Sequence, residues 1–517
     1  MNDCFQWSFF VSEIGLAALS LLVLVLDVAL PTNLRRFIPG VVLAGLAGLI
    51  AGLVPSLAAP SDGVRNLLFG GMIAQTHGLG AAGGPSSDVM RLFFLVAAFL
   101  VIWLGVRFSR KFTLPMTGFL LVVLVVAAGL SLLVQSNNFV MFFVTLEAVS
   151  TGFCVLIASR RGSGASLEAG LKYLVMAGLS SALLLFGITL LYGAVGNPVL
   201  GGGVAATGFD ALEFSRVGAF IAGGHRENPF VLAGVALVTC GVAFKIGMFP
   251  FHFWIPDVYQ GAPMPVTAFL AVASKAAGVV ALLLLMNMPF AALSGSGGVL
   301  YLLLSLGAGV TLVCANLVAL GQTNVKRLMG MSGVSHAGFL LLALLASRHE
   351  GNGLSAMIAL IAYLAAYLVG AMAVFGVMSE MSVGERESDA ETTQIMLDYR
   401  LLGERSPFLA AVLGVGLGSL AGIPPSLGFV AKFLVIMAAF NAGLWTLTAV
   451  ALLCVCAGVY YYFAWMREAF QRVWVDVEAR RSLFVPRPPW TSRLVLFCLS
   501  VVILIGGLVQ SVWRIFQ

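Results

Sequence analysis

Apolar runs of about twenty residues, separated by short polar or glycine-rich stretches, follow one another along the whole chain. They fall at about 9–30, 37–59, 89–107, 114–134, 138–159, 169–194 and 229–251, then at about 262–290, 297–320, 331–347, 353–379, 407–437, 440–466 and 491–514. At about 1.5 Å of rise per residue, a run of this length crosses the roughly 30 Å hydrocarbon core of a bilayer. The pattern predicts an all-α integral membrane protein of about fourteen transmembrane helices, spans 1–14 in chain order. Stretches 60–88 and 196–228 are rich in glycine, and 381–405 and 467–490 are polar. None is long enough to form an obvious separate domain.

Two spans carry helix breakers at mid-depth. Span 7 reads GVAFKIGMFPFHFWIPD, with Pro250 soon after Lys245; span 12 reads GSLAGIPPSLGFVAKF, with Gly422, Pro424 and Pro425 shortly before Lys432. Proline removes a backbone donor and frees a carbonyl, which membrane helices tolerate only where polar neighbours or water satisfy it. Interrupted segments in matching positions of two halves point to inverted repeats around a transport path. Spans 4–8 and 9–13 are the two five-helix halves, with the broken helix fourth in each. The chain then divides into an N-terminal three-helix segment (1–113), a first repeat (114–290), a second repeat (297–466), and a polar loop with the last helix (467–517). Lys245 precedes its proline and Lys432 follows its pair, so the repeat is one of architecture rather than of residues.

Composition agrees with a chain that leaves little outside the bilayer. Of 517 residues, 60% are hydrophobic and 10% charged, and the mean hydropathy is +1.03; soluble domains carry about 25% charged residues. The net charge of +6 implies no nucleic-acid partner, because the arginines cluster in short loops. With the N-terminus outside, eighteen loop lysines and arginines fall on the cytoplasmic side and six on the other. The positive-inside rule therefore puts both termini on the outer face. Residues 9–30 lack the basic start and small-residue cleavage site of a signal peptide. The seven cysteines show no metal spacing. No phosphate-binding loop, haem attachment motif or dinucleotide fingerprint is present. The chain itself is expected to hold no cofactor and no metal, and neither to carry electrons nor to hydrolyse ATP.

Lysine placement changes the picture from a membrane protein to one that moves protons. Four of the six lysines, Lys172, Lys245, Lys275 and Lys432, lie inside apolar spans, whereas twenty-two arginines meet the chain's other basic needs. A lysine at the bilayer centre costs about 2.5–3.5 kcal/mol and usually faces a polar interior. Taken out of water, lysine can give up its proton near neutral pH; arginine cannot. Glu147, in the middle of span 5, needs a cationic partner or a proton. Lys172 in span 6 is the expected partner, although helix rise sets the two about 9 Å apart in depth, so that contact needs an extended lysine or a water. A static ion pair, or a Lys172 that snorkels to the membrane edge, is the alternative. His252 and His336 suit a proton relay. Glu13 and Asp27 flank span 1, and Asp257 reads as a turn or capping residue.

Several blocks now resemble one family. FKIGMFPFHFWIPDVYQGAPMPVTAFLAVASKAAG (244–278) resembles the span 7–8 signature of the N subunit of proton-pumping NADH:quinone oxidoreductase, respiratory complex I. SLEAGLKYLVMAGLSSALLLFGITLLYGAVG (166–196), QTNVKRLMGMSGVSHAGFLLLAL (322–344) and SLAGIPPSLGFVAKF (419–433) look like further family blocks, so the likeness runs from about residue 110 to 470. The resemblance implies that Glu147 and Lys172 are the glutamate and lysine of spans 5 and 6, Lys245 the broken-helix lysine, Lys275 the central connecting lysine and Lys432 the group at the outward half-channel. It implies a hydrophilic axis driven by quinone reduction elsewhere in the assembly. Quinone, FMN and iron–sulfur clusters are then expected in partner subunits. The partners are other membrane-arm subunits, antiporter-like and small, together with the lipid bilayer and protons; the location is a bacterial inner membrane. Loops 196–228 and 384–391 depart from the family pattern. A cation/proton antiporter subunit of a multi-subunit exchanger is the alternative, and a purely structural subunit with static lysines is a third reading.

Overall fold

The computed structural model describes the chain except for residues 1–9, 32, 58–65, 69–72, 76–86, 109–113, 161, 198–207, 296, 350, 384–393, 472–487 and 509–517. Among the described residues, thirteen helices are long and apolar enough to cross a bilayer, and two shorter apolar helices, Pro407–Ala421 and Leu427–Asn441, together make one more span. Spans 1–6 are Val11–Ala29, Ile38–Leu57, Ser87–Phe108, Met116–Val134, Phe139–Ile157 and Gly164–Val195. Span 7 breaks into 7a, Pro229–Ile246, and 7b, Trp254–Gly261. Span 8 covers Met264–Asn287, span 9 Val299–Leu320, span 10 Val325–Ala346 and span 11 Gly353–Val383. Span 12 comprises 12a, Pro407–Ala421, and 12b, Leu427–Asn441; spans 13 and 14 are Trp445–Phe470 and Trp490–Leu508.

Both breaks are built the same way. Helix 7a ends at Gly247 and 12a at Gly422, with φ of 78° and 82°, a left-handed conformation that favours glycine. Each glycine amide bonds back to two carbonyls, Ala243 and Phe244 in one case and Gly418 and Ser419 in the other. The following amide, of Met248 or Ile423, returns to Ala243 or Gly418. A cis proline follows each turn, after Phe249 and after Pro424.

A second pair of matching features shows the inversion. Asn138 caps the start of span 5 by accepting from the Val140 amide (2.8 Å), and Asn324 caps span 10 by accepting from Lys326 and Arg327 (3.0 and 3.1 Å). Each also bridges backbone to backbone with the segment ahead of its own broken helix: Asn138 with Glu213, and Asn324 with Ile395. Five spans separate the two asparagines, and an odd number of crossings puts them on opposite faces. The halves are therefore inverted copies in architecture.

Some boundaries differ from the sequence reading. Span 10 begins at Val325, six residues before the expected 331, because the Asn324 cap supports a polar first turn that hydropathy leaves out. Lys326 and Arg327 are thus helical rather than in a loop. The stretch between spans 2 and 3 holds a short antiparallel pairing of Asn66–Leu68 with Ile73–Gln75, and 196–228 contains the helix Phe214–Ala222. The acidic stretch 384–391 and most of 467–490 lie outside the described residues. Spans 8 and 10 are almost wholly buried by the rest of the chain, whereas spans 1, 2 and 14 bury little. The core of the fold is therefore also where Lys275 and His336 sit.

Candidate functional site

Lys245 is the penultimate residue of helix 7a and its side chain is buried. Its ammonium donates to the Ser150 hydroxyl of span 5. Its carbonyl accepts from the Ser274 hydroxyl of span 8 at 2.8 Å, so three spans meet at this residue. Glu147 lies one helical turn before Ser150, on the same face of span 5 as the Lys245 contact. Glu147 itself accepts from the Ser181 hydroxyl of span 6 at 2.5 Å.

The expected pairing of Glu147 with Lys172 is not what the structure forms. Lys172 Nζ lies 2.7 Å from Glu168 and 2.8 Å from Asp257. The physical reason is depth. Glu147 meets span 6 at Ser181, nine residues beyond Lys172 and about 13 Å along the helix, which an extended lysine does not bridge. Asp257, on helix 7b, is more than a turn residue: its second oxygen accepts from Arg327 of span 10 at 2.7 Å. Lys172, Asp257 and Arg327 therefore tie spans 6, 7 and 10 together at one membrane face. Lys326, fully buried beside them, donates to the Gln260 and Ala262 carbonyls at 3.0 and 2.7 Å, where the short 7b helix ends.

Lys275 follows a π-helical stretch, Leu270–Ser274, in the middle of span 8. Such wide turns recur at functional positions. Its ammonium donates to the Tyr259 hydroxyl at 2.8 Å and to the Ala271 carbonyl at 3.4 Å. Lys432, in 12b, reaches back across the break and donates to the Leu420 and Ala421 carbonyls at 2.7 and 3.0 Å. These are end-of-helix carbonyls that 12a leaves unpaired, and a cation suits that negative terminus. His336 of span 10 stands near both lysines, with Nδ1 2.7 Å from the Tyr363 hydroxyl and Nε2 3.3 Å from that of Tyr462. His252 lies between 7a and 7b, stacked on Phe253 with centroids 4.5 Å apart. It makes no hydrogen bond to any of the lysines among the described residues.

Among the described residues, no ion pair reaches Lys245, Lys275 or Lys432. Each is held by neutral oxygens, so no direct ion pair locks it in the charged form. Of the seven residues singled out in the sequence, the structure gathers Glu147 with Lys245, and Lys275 with His336 and Lys432. It sets Lys172 apart in the Asp257 network. Sequence reasoning missed Asp257, Arg327 and Lys326 as a connected group. The signal was present in the Asn-Val-Lys-Arg order, in which an N-cap residue makes the two cations helical. Among the described residues, no cluster of histidine, cysteine, aspartate and glutamate could hold a metal ion.

Comparison with known proteins agrees with this arrangement. Residues 136–458 match the family described as NADH:quinone oxidoreductase/Mrp antiporter, transmembrane. The chain is 45% identical over 472 residues to "NADH-quinone oxidoreductase subunit N 1" of Opitutus terrae, covering 91% of this chain and 88% of that protein. It is similar to a chain of respiratory complex I from Thermus thermophilus with bound aureothin, with TM-score 0.73, 30% identity and 97% of each chain covered. The fold also resembles a chain of the Mrp complex from Dietzia sp., with TM-score 0.77 at 21% identity over 98% of this chain and 95% of that one. The inverted repeats, the paired breaks and these likenesses together show that the chain belongs to the NADH:quinone oxidoreductase/Mrp antiporter transmembrane family.

Proposed function

We propose that this chain is the proton-translocating N-type membrane subunit of an NADH:quinone oxidoreductase, an enzyme complex whose redox chemistry takes place in other subunits. The observation that carries the reading is the row of three buried lysines, Lys245, Lys275 and Lys432, each bound only to neutral oxygens. In this reading Glu147 sets the charge state of Lys245, Lys275 links the two halves, and Lys432 exchanges protons toward the outer side. Lys172 takes its place in the cytoplasmic input through Asp257 rather than through Glu147. His336 borders the second half of the path; His252 is a lesser relay candidate in the break of span 7. Charge displaced at one site alters the cost of charge at the next through the low-dielectric interior. Energy can thus travel laterally without large motions.

The membrane is a bacterial inner membrane, and the eighteen-to-six bias of lysines and arginines in the loops and at the span ends supports both termini on its outer face. Quinone, FMN and iron–sulfur clusters reside in partner subunits, and antiporter-like and small membrane subunits flank this chain. The test is purification of the tagged chain from its native membrane, followed by reconstitution into liposomes. Co-purification with flavin and iron–sulfur subunits, and quinone-dependent acidification of the lumen, is the expected result. Autonomous sodium/proton exchange by the chain without redox partners would instead identify an exchanger subunit.

A further inference from the structure

Lys275 and Lys432 share no hydrogen bond, and His336, the side chain between them, has a tyrosine hydroxyl on each ring nitrogen. Beside His336 lies a cavity of about 10 Å³, bordered by Tyr363, Tyr367, Ser419 and Lys432. That is about the room one water needs. The hydroxyls of Tyr367 and Ser419 are buried and have no hydrogen-bond partner among the described residues, and both residues line this cavity. Buried hydroxyls in folded proteins are bonded to protein or to ordered water, so two unpaired ones bordering one water-sized cavity point to a bound water. Tyr367 also faces the other way. The Lys275 ammonium and the Tyr367 hydroxyl stand 2.8 and 3.0 Å from the single point where a side chain on Gly333 would begin. The Tyr367 ring packs on His336, with centroids 4.8 Å apart, so one residue borders both the Lys275 ammonium and the cavity.

We propose that Tyr367 is a proton-relay residue between Lys275 and Lys432, acting through one water held by Tyr367 and Ser419. The step balances without any other reactant. The Lys275 ammonium swings from Tyr259 onto the Tyr367 oxygen, and its N–H bond breaks as the proton passes there. The Tyr367 O–H proton moves to the water, and a water proton moves to the neutral Lys432 amine. Tyrosine and water end with the bonds they began with, Lys275 is left neutral and Lys432 becomes ammonium. Tyr367 must then rotate its hydroxyl before the next transfer. His336 and Tyr363 form the wall that holds the water in place. The proposal rests on the reading of Lys275 and Lys432 as titrating sites, and goes beyond it by naming what lies between them.

The test uses the whole complex in proteoliposomes, with Tyr367→Phe, Ser419→Ala and Lys275→Ala compared for assembly, quinone-driven proton translocation and solvent deuterium isotope effect. Tyr367→Phe keeps the ring and removes one oxygen. It is expected to assemble normally, to lose translocation by about tenfold or more, and to show a larger isotope effect, because an aligned proton donor and acceptor contributes that much or more to a transfer. Ser419→Ala, which adds no volume, is expected to lose a smaller amount in the same direction, and it serves as the deciding variant should Tyr367→Phe fail to assemble. Loss of translocation in Lys275→Ala with unchanged translocation and isotope effect in Tyr367→Phe, or in Ser419→Ala where it decides, would overturn this proposal alone. Unchanged translocation in Lys275→Ala would overturn the underlying reading as well.

Discussion

Replacing Arg91 by methionine separates structural ion pairs in this chain from those near the proton path. Arg91 lies in the second turn of span 3 and binds Glu13 of span 1 through Nε at 3.0 Å and Nη2 at 2.5 Å. It also binds Asp88 through Nη1 at 3.1 Å and the Ser12 hydroxyl. Gln135, just after span 4, donates to the same Glu13 carboxylate at 2.7 Å. The side chains of Arg91, Glu13 and Asp88 are 3%, 8% and 1% exposed, so water cannot replace a lost partner. Removing one member of such a buried pair costs about 3–5 kcal/mol, and here it strands two carboxylates together. At about 1.4 kcal/mol per factor of ten, that weakens the docking of spans 1, 3 and 4 a hundredfold or more. The Asp257 network has as many charges, but its members are 33–43% exposed, which holds each pair to at most about 1 kcal/mol. Arg91→Met should therefore reduce the amount of assembled complex on native gels and its resistance to heating in detergent, while the complex that does assemble pumps at the normal rate. Arg91→Lys should restore assembly only in part, because an ammonium cannot make the forked contact. Wild-type assembly and heat resistance in Arg91→Met would refute the reasoning.

The opposite outcome is expected at Asp257. Asp257→Asn should assemble almost normally yet lower proton translocation several-fold, because it uncouples Lys172 from Arg327 at the face where the proposed path takes up protons; unchanged translocation would remove the network from the path. Thr311 of span 9 accepts from the Phe249 amide at 2.9 Å and so holds the break in span 7 from the other repeat. Thr311→Val keeps the shape, leaves that amide unpaired at a cost of about 1–3 kcal/mol, and should speed hydrogen exchange at Phe249; an unchanged exchange rate would show that the break does not depend on this hydroxyl.

Much of the architecture was legible in the sequence because the bilayer imposes it. A hydrocarbon core about 30 Å thick demands apolar runs of a fixed length, and each expected window finds a helix or a pair of half-helices. The breaks were legible because glycine and proline mark them directly, and Gly247 and Gly422 occupy the left-handed positions that such breaks require. Lys245, Lys275 and Lys432 stood out because charge in an apolar run is costly. Partner choice was not legible. Glu147 meets span 6 at Ser181 rather than Lys172, one turn from the Ser150 that holds Lys245, because spans 5, 6 and 7a cross at a particular depth, and crossing geometry depends on side chains far from the charges. The start of span 10 was hidden by its polar first turn, and with it the role of Arg327. Ser150, Ser181 and Tyr259, which hold the charged groups, are common residues in membrane helices and carry no distinguishing signal until the fold sets them opposite a lysine or a carboxylate.

The central claim is that the buried lysines titrate during turnover rather than serving as fixed supports. Lys275, bound to Tyr259 at 2.8 Å in the most enclosed part of the fold, is the position where the two ideas diverge most. The measurement is quinone-driven proton translocation by the assembled Lys275→Ala complex in proteoliposomes, normalised to the amount of complex present. The account predicts that assembly persists and translocation collapses; wild-type translocation from an assembled Lys275→Ala complex would contradict it.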